Sequence, residues 1–152
     1  MDHGSEAKRL FLMGYNCAQA VFCAFCDETG LDIDAAARMA SSFGGGMGRL
    51  REVCGTMSGA LLALGMIRGY ADPADPRAKA AHYRLVQEYA RCFRERNGAI
   101  VCRELLKNVP VTPGDTPEPR TPEFYARRPC LRLAGEAAAI LDGMLREENE
   151  SQ

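Results

Sequence analysis

The chain has no tryptophan, only two histidines (His3 and His82), and few aromatic residues of any kind, 7% of its 152 positions. Its core must therefore be built from aliphatic side chains, alanine and methionine. An excess of one charge is missing too. Nineteen basic residues meet 20 acidic ones, for a formal net charge of -1, so no long-range field favours nucleic acid or an anionic membrane as partner. No apolar run reaches the roughly 20 residues of a spanning helix. The longest charge-free stretch, residues 53–67, holds three glycines and predicts a buried core helix. Residues 1–9 lack the basic-then-apolar layout of a secretory leader, which predicts a cytoplasmic protein. Neither histidine has neighbours spaced for acid–base work, and both are expected at the surface. With no Ser/His/Asp set and no carboxylate pair, hydrolytic chemistry has no support.

What the sequence does contain is helical periodicity. Leu10, Phe11, Cys17, Ala18, Val21, Phe22 and Phe25 recur at helical spacing with a break at Gly14-Tyr15-Asn16, predicting one interrupted helix or a pair. Gly30 caps that segment, and residues 32–40 read as a short helix. The run Gly44-Gly45-Gly46-Met47-Gly48 is expected as a tight loop, since interior glycine costs roughly 1 kcal/mol against alanine. An apolar helix follows over about 52–70, with Gly55, Gly59 and Ala63 on one face for close backbone approach. A long helix runs from the Pro73–Pro76 break to about Arg96 and closes at Asn97-Gly98. A helical turn near Cys102 comes next, and a last helix covers about 131–148. Six of the eight prolines fall between Pro110 and Pro129, so residues 108–129 are expected as an irregular connecting loop. With no strand alternation and no repeat, the fold class is all-α. The expectation is a single domain over 1–152, a compact bundle of five to six helices.

Seven cysteines are an odd number for a disulfide framework and an unexpected number for a cytoplasmic chain that does not need them for packing. Cys54, Cys102 and Cys130 stand at predicted helix starts, and Cys17 follows the glycine break. Unpaired amides and the positive dipole end at such starts favour thiolate over thiol. Helical phase turns Cys17 and Cys130 inward. Four such thiols from separate segments suit a four-sulfur zinc or iron–sulfur site; the alternative is that each is a small buried hydrophobe. Cys23 and Cys26 form a Cys-x-x-Cys pair without the strand-to-helix context of thioredoxin-like motifs. They are read as core or surface thiols, with an accessory resolving role as the alternative, and Cys92 is read as core. Gly45, Gly46 and Gly55 are expected to bring backbone amides against the sulfur site; the alternative is that the glycine loop only punctuates the helices. The loop lacks the Lys-Ser/Thr of a phosphate-binding loop.

The segments Asn16-Cys17-Ala18-Gln19-Ala20-Val21, Phe43 to Arg49 and Cys54-Gly55-Thr56-Met57-Ser58-Gly59, with single cysteines at 102 and 130, resemble the C-GCAxxG-C-C family of redox-active proteins. The resemblance spans roughly residues 8–140, and Thr56 stands where members usually carry alanine. It implies Cys17, Cys54, Cys102 and Cys130 as the functional residues. A similar module accompanies haem segments in split-Soret-type cytochromes, where cysteines are suggested to hold an iron–sulfur centre. Asp27 follows Cys26, so no haem-attachment Cys-x-x-Cys-His exists here and haem is not expected. The leading expectation is electron transfer or redox sensing through an iron–sulfur cluster, favoured as 2Fe–2S, held by those four cysteines. One alternative is a metal-free thiol–disulfide oxidoreductase using Cys54 with Cys102 or Cys130. The other is a non-enzymatic helical module with structural zinc. The expected partner is a redox protein or small electron carrier, and the glycine-faced helix also suits a homodimer interface.

Overall fold

In the computed structural model, residues 2–150 are described in backbone and residues 2–147 in side-chain placement; Met1, Ser151 and Gln152 lie outside the described residues. Helix α1 (His3–Leu12) opens where the Asp2 carboxylate accepts the Ser5 amide, and it ends before Gly14, whose φ is +109°. Asn16 then restarts the chain. Its side-chain oxygen accepts the Gln19 amide while its own N–H donates to the Gln19 side chain, a reciprocal cap that fixes Cys17 as the first residue of α2 (Cys17–Ala24).

A single turn, α3 (Cys26–Thr29), stops at left-handed Gly30, and α4 (Ile33–Ala40) is capped by Asp32. After a 3-10 turn at Ser41–Phe43, residues Gly44–Met47 make one further turn, interrupted within by left-handed Gly45 and Gly46. It is best described as part of the expected glycine loop. Then follow α5 (Gly55–Arg68), α6 (Pro76–Asn97), α7 (Cys102–Leu105), α8 (Pro122–Arg127) and α9 (Cys130–Glu150).

The described residues thus form nine helices and no sheet. All-α holds, but the expectation of five to six helices is corrected. The turn expected near Cys102 is present as α7, the first segment is split into α1 and α2, and the unforeseen ones, α3 and α8, span four and six residues, too short for a 3.6-residue period to show. Helix α8 also corrects the reading of 108–129 as wholly irregular: Thr121 accepts the Phe124 amide and Pro122 opens the helix. Only the rest of that stretch is an irregular strap.

Helices α1, α2, α5 and α9 pack on one another around a single hydrophobic cluster that includes Leu10, Phe22, Phe25, Leu64 and Leu141. The small-residue face of α5 is used as its spacing suggests. A Cβ on Gly59 would run into the carbonyl oxygen of Ala18, and one on Gly55 into the Cys17 sulfur, so α2 lies directly on that face. Helix α6 joins through buried Tyr89 and Phe93, and the Tyr89 hydroxyl donates to the Ala137 carbonyl of α9 at 2.8 Å. Among the described residues no helix is long and apolar enough to cross a membrane.

Candidate functional site: a four-cysteine pocket

The four singled-out cysteines all come from helix starts. Cys17, Cys102 and Cys130 are the first residues of α2, α7 and α9, and Cys54 caps α5. A short antiparallel pairing aligns two of these segments. Val53 bridges Val101, the Cys54 amide donates to the Ile100 carbonyl at 2.8 Å, and the Cys102 amide donates to the Glu52 carbonyl at 2.5 Å. With the α2 cap on one side and the start of α9 on another, all four cysteines line one cavity of about 280 Å³.

Gly44, Gly45, Gly48 and Gly55 also line the cavity. The Gly45 amide donates to the Cys17 sulfur. Gly46 does not reach the cavity wall but backs Cys102, whose Cβ would sit 2.8 Å from a Cβ at Gly46. From residue 45 to 51 the loop is held almost entirely left-handed: Gly45, Gly46, Met47, Gly48, Arg49 and Arg51 all have φ between +57° and +71°. For the three that are not glycine this costs roughly 1–2 kcal/mol each. The strain is concentrated at the cavity rim.

The spacing of the sulfurs corrects the leading expectation. Among the described residues, no three cysteine sulfurs lie within 4.8 Å of one another, and the one group of potential metal ligands that meets this spacing is His3, Asp27 and Glu28. The thiols therefore share a cavity without forming a four-sulfur ligand set, and neither an iron–sulfur cluster nor a four-cysteine zinc is supported.

Burial pushes the Cys17 thiol up, Cys54 up to about 12 and Cys130 up to about 11, although amides at Cys17, Thr56 at Cys54 and Arg128 at Cys130 pull the other way. The helix starts were located correctly, but the dipole end supplies only about 0.3–1 kcal/mol, and desolvation of sulfur outweighs it. These are thiols at neutral pH rather than thiolates. Thr56, the departure from the family pattern, is buried with its hydroxyl 3.1 Å from the Cys54 sulfur.

All seven cysteines are free. Cys23 is buried, its thiol donating to the Ile33 carbonyl at 3.8 Å, and Cys26 is half-buried; both lie outside the cavity lining. Cys92 is half-buried at the core margin, its thiol 3.7 Å from a Glu88 oxygen.

The strap contributes what the motifs did not reveal. Arg120 donates to the Phe11 and Tyr15 carbonyls, both at 2.8 Å, and its guanidinium lies 4.0 Å over the Phe11 ring. Glu118 bonds Arg128 closely and accepts the Thr112 amide at 3.0 Å, while Arg49 donates to the Gly114 and Thr112 carbonyls. Arg51, from the glycine loop, places Nη1 3.8 Å from the Cys102 sulfur.

His3 is also corrected, because it is buried, 3% exposed, rather than at the surface. Its ring stacks on Phe25 at 4.1 Å. Nδ1 lies 2.6 Å from Asp142, and Nε2 lies 2.9 Å from Asp27 and 4.0 Å from Glu28. Burial lowers its pKa, but hydrogen bonds and charges from Asp27 and Asp142 raise it further, for a net rise. Nothing in the spacing around residue 3 pointed to this; its partners are scattered along the chain.

The described residues thus form a helical protein with a thiol-lined cavity beside an arginine-bound strap. The chain belongs to the family described as "Putative redox-active protein (C_GCAxxG_C_C)", whose pattern matches residues 15–144. No curated protein and no solved structure matches it.

Proposed function

We propose that the cavity is a thiol–disulfide exchange site that works without a metal at the sulfurs. The observation that carries this reading is four free cysteines lining one cavity at spacings that do not make a metal ligand set. Cys102 is the attacking sulfur because the Arg51 guanidinium is in contact with it, so a negative charge forming there meets a cation. Cys17 and Cys130 both lie within electrostatic range of Cys102; Cys17, whose sulfur also has the Gly45 amide beside it, is taken as the resolving partner.

In the reaction, the Cys102 thiolate attacks one sulfur of a substrate disulfide, forming a mixed disulfide and expelling the first substrate thiolate. Cys17 gives up its proton to that leaving thiolate and attacks the Cys102 sulfur, expelling the second thiolate. Two electrons pass from the protein dithiol to the substrate disulfide, and an external dithiol or redox protein restores the reduced site. This chemistry places the chain in a reducing compartment such as the cytoplasm, where free thiols persist.

The test counts thiols in the full chain carrying Cys23→Ser and Cys26→Ser, before and after mild oxidation. A pair of thiols should be lost, with peptide mapping joining Cys102 to Cys17, and Cys102→Ser should prevent the loss. An unchanged count sinks the reading.

A second reading is favoured at a separate place. Three carboxylates, Asp27, Glu28 and Asp142, surround one His3, leaving negative charge that a protonated ring alone does not balance. Asp142 on Nδ1 is the kind of partner that orients a metal-ligating histidine, with Nε2, Asp27 and Glu28 as ligands for a mononuclear zinc-like cation. Calorimetric zinc titration of chelator-treated protein should show one equivalent bound and its loss in His3→Gln; no uptake by the parent chain makes the cluster an ion network only.

A further inference from the structure

The charges around the cavity do not cancel. Arg49, Arg51, Arg120 and Arg128 line it against Asp115 and Glu118. Three of the four arginines are consumed in holding the strap. Arg49 and Arg128 share Glu118, and Arg120 is tied to two carbonyls. Arg51 is different, since among the described residues its guanidinium meets the Cys102 sulfur and no carboxylate. It is also held at φ +63° in a glycine-rich loop where glycine would sit without strain. Among the described residues this strained arginine holds no other part of the fold and is aimed at the candidate nucleophile.

Phe11, Leu106, Phe124 and Leu133 add apolar wall beside Asn16, Ser41 and Thr56. A cavity of about 280 Å³ lies at the lower edge of the roughly 300–1,000 Å³ of small-molecule sites. Strap residues Asp115, Pro117, Glu118 and Arg120 form part of its wall.

We propose that the substrate of this site is a small, low-molecular-weight disulfide bearing a carboxylate, and that Arg51 holds the carboxylate while the disulfide faces Cys102. This assignment rests on the thiol-exchange reading above. Charge recognition by an otherwise unpaired guanidinium in a partly desolvated cavity gives roughly tenfold or greater preference for anion over neutral.

The experiment mixes the fully reduced chain with dithiodiglycolate, hydroxyethyl disulfide or cystamine, which are dianionic, neutral and dicationic, and follows thiol loss. The dianion should react roughly tenfold faster than the neutral reagent, with cystamine slowest. In Arg51→Gly, whose left-handed backbone suits glycine, the melting curve should stay close to the parent's and the ordering should collapse. Arg51→Asn, which also tolerates that conformation, provides the check if the glycine variant misfolds.

Binding of adipate, which has no disulfide to reduce, is measured in parallel against hexanediol. Adipate should bind the parent chain and lose affinity in Arg51→Gly. Equal rates for the three disulfides, or an ordering that survives loss of Arg51, overturns the substrate assignment. Failure of all three to react while adipate still binds through Arg51 overturns the exchange chemistry and leaves the anion site standing; no adipate binding overturns the anion site itself.

Discussion

At the scale of single residues the site depends on atoms that are absent. Gly59 has no Cβ because the Ala18 carbonyl occupies that space, and Ala18 follows Cys17 directly. Adding one methyl there forces α2 and α5 apart, a kind of overpacking that costs roughly 1–3 kcal/mol. Gly59→Ala is therefore expected to lower the urea midpoint by that equivalent and to alter thiol loss at Cys17. Gly65, with nothing within 4 Å of its would-be Cβ, is the control, since Gly65→Ala should be neutral or stabilising. The small-residue spacing at Gly55, Gly59 and Ala63 was legible in the sequence because period and size suffice to read it. The acidity of the cysteines was not. Position at a helix start can be read from caps, whereas depth of burial depends on neighbours supplied by other segments.

At the scale of elements the strap is the part with its own chemistry. Burial raises the Glu118 carboxyl, but the Thr112 amide, Arg128 and Arg49 outweigh it and hold the carboxyl below its ordinary value. A depressed carboxylate stabilises fully above its unfolded pKa, and the contribution fades as pH falls through the lower folded value. The strap is thus expected to loosen only in acid, below about pH 4.5. Limited proteolysis with an acid-active protease should cut residues 108–120 of the parent chain increasingly below that pH. With a neutral protease at pH 7, Glu118→Gln should be cut more readily than the parent chain, and equal resistance of the two there would contradict the role of Glu118. Six prolines announced an irregular connection, but its anchoring by Arg120 to Phe11 and Tyr15 was illegible, because those partners are more than a hundred positions away. Helix α8 did carry a signal, the Thr121-Pro122 start, which the density of prolines obscured.

At the scale of the whole molecule His3 joins three helices, reaching Asp27 and Glu28 on α3 and Asp142 on α9 from the first turn of α1. Its raised pKa sets a sign: the stabilisation is complete below the unfolded value near 6.5 and is lost as pH rises through the higher folded value. Without added metal, His3→Gln should melt well below the parent chain at pH 6, and the gap should narrow in alkaline buffer. A gap that widens with pH would contradict the ion network. The helical class and the family were legible from periodicity and from the order of four cysteines. Their mutual spacing was not, since a helical pattern gives direction around an axis and no distance between axes. The left-handed run from residue 45 to 51 has a consequence of its own. There the backbone follows the mirror image of ordinary helical geometry, so D-amino acids would fit it better than the L-residues a ribosome supplies. Biosynthesis leaves only achiral glycine or a side chain worth its distortion, and the three positions that are not glycine show where this protein chose the latter.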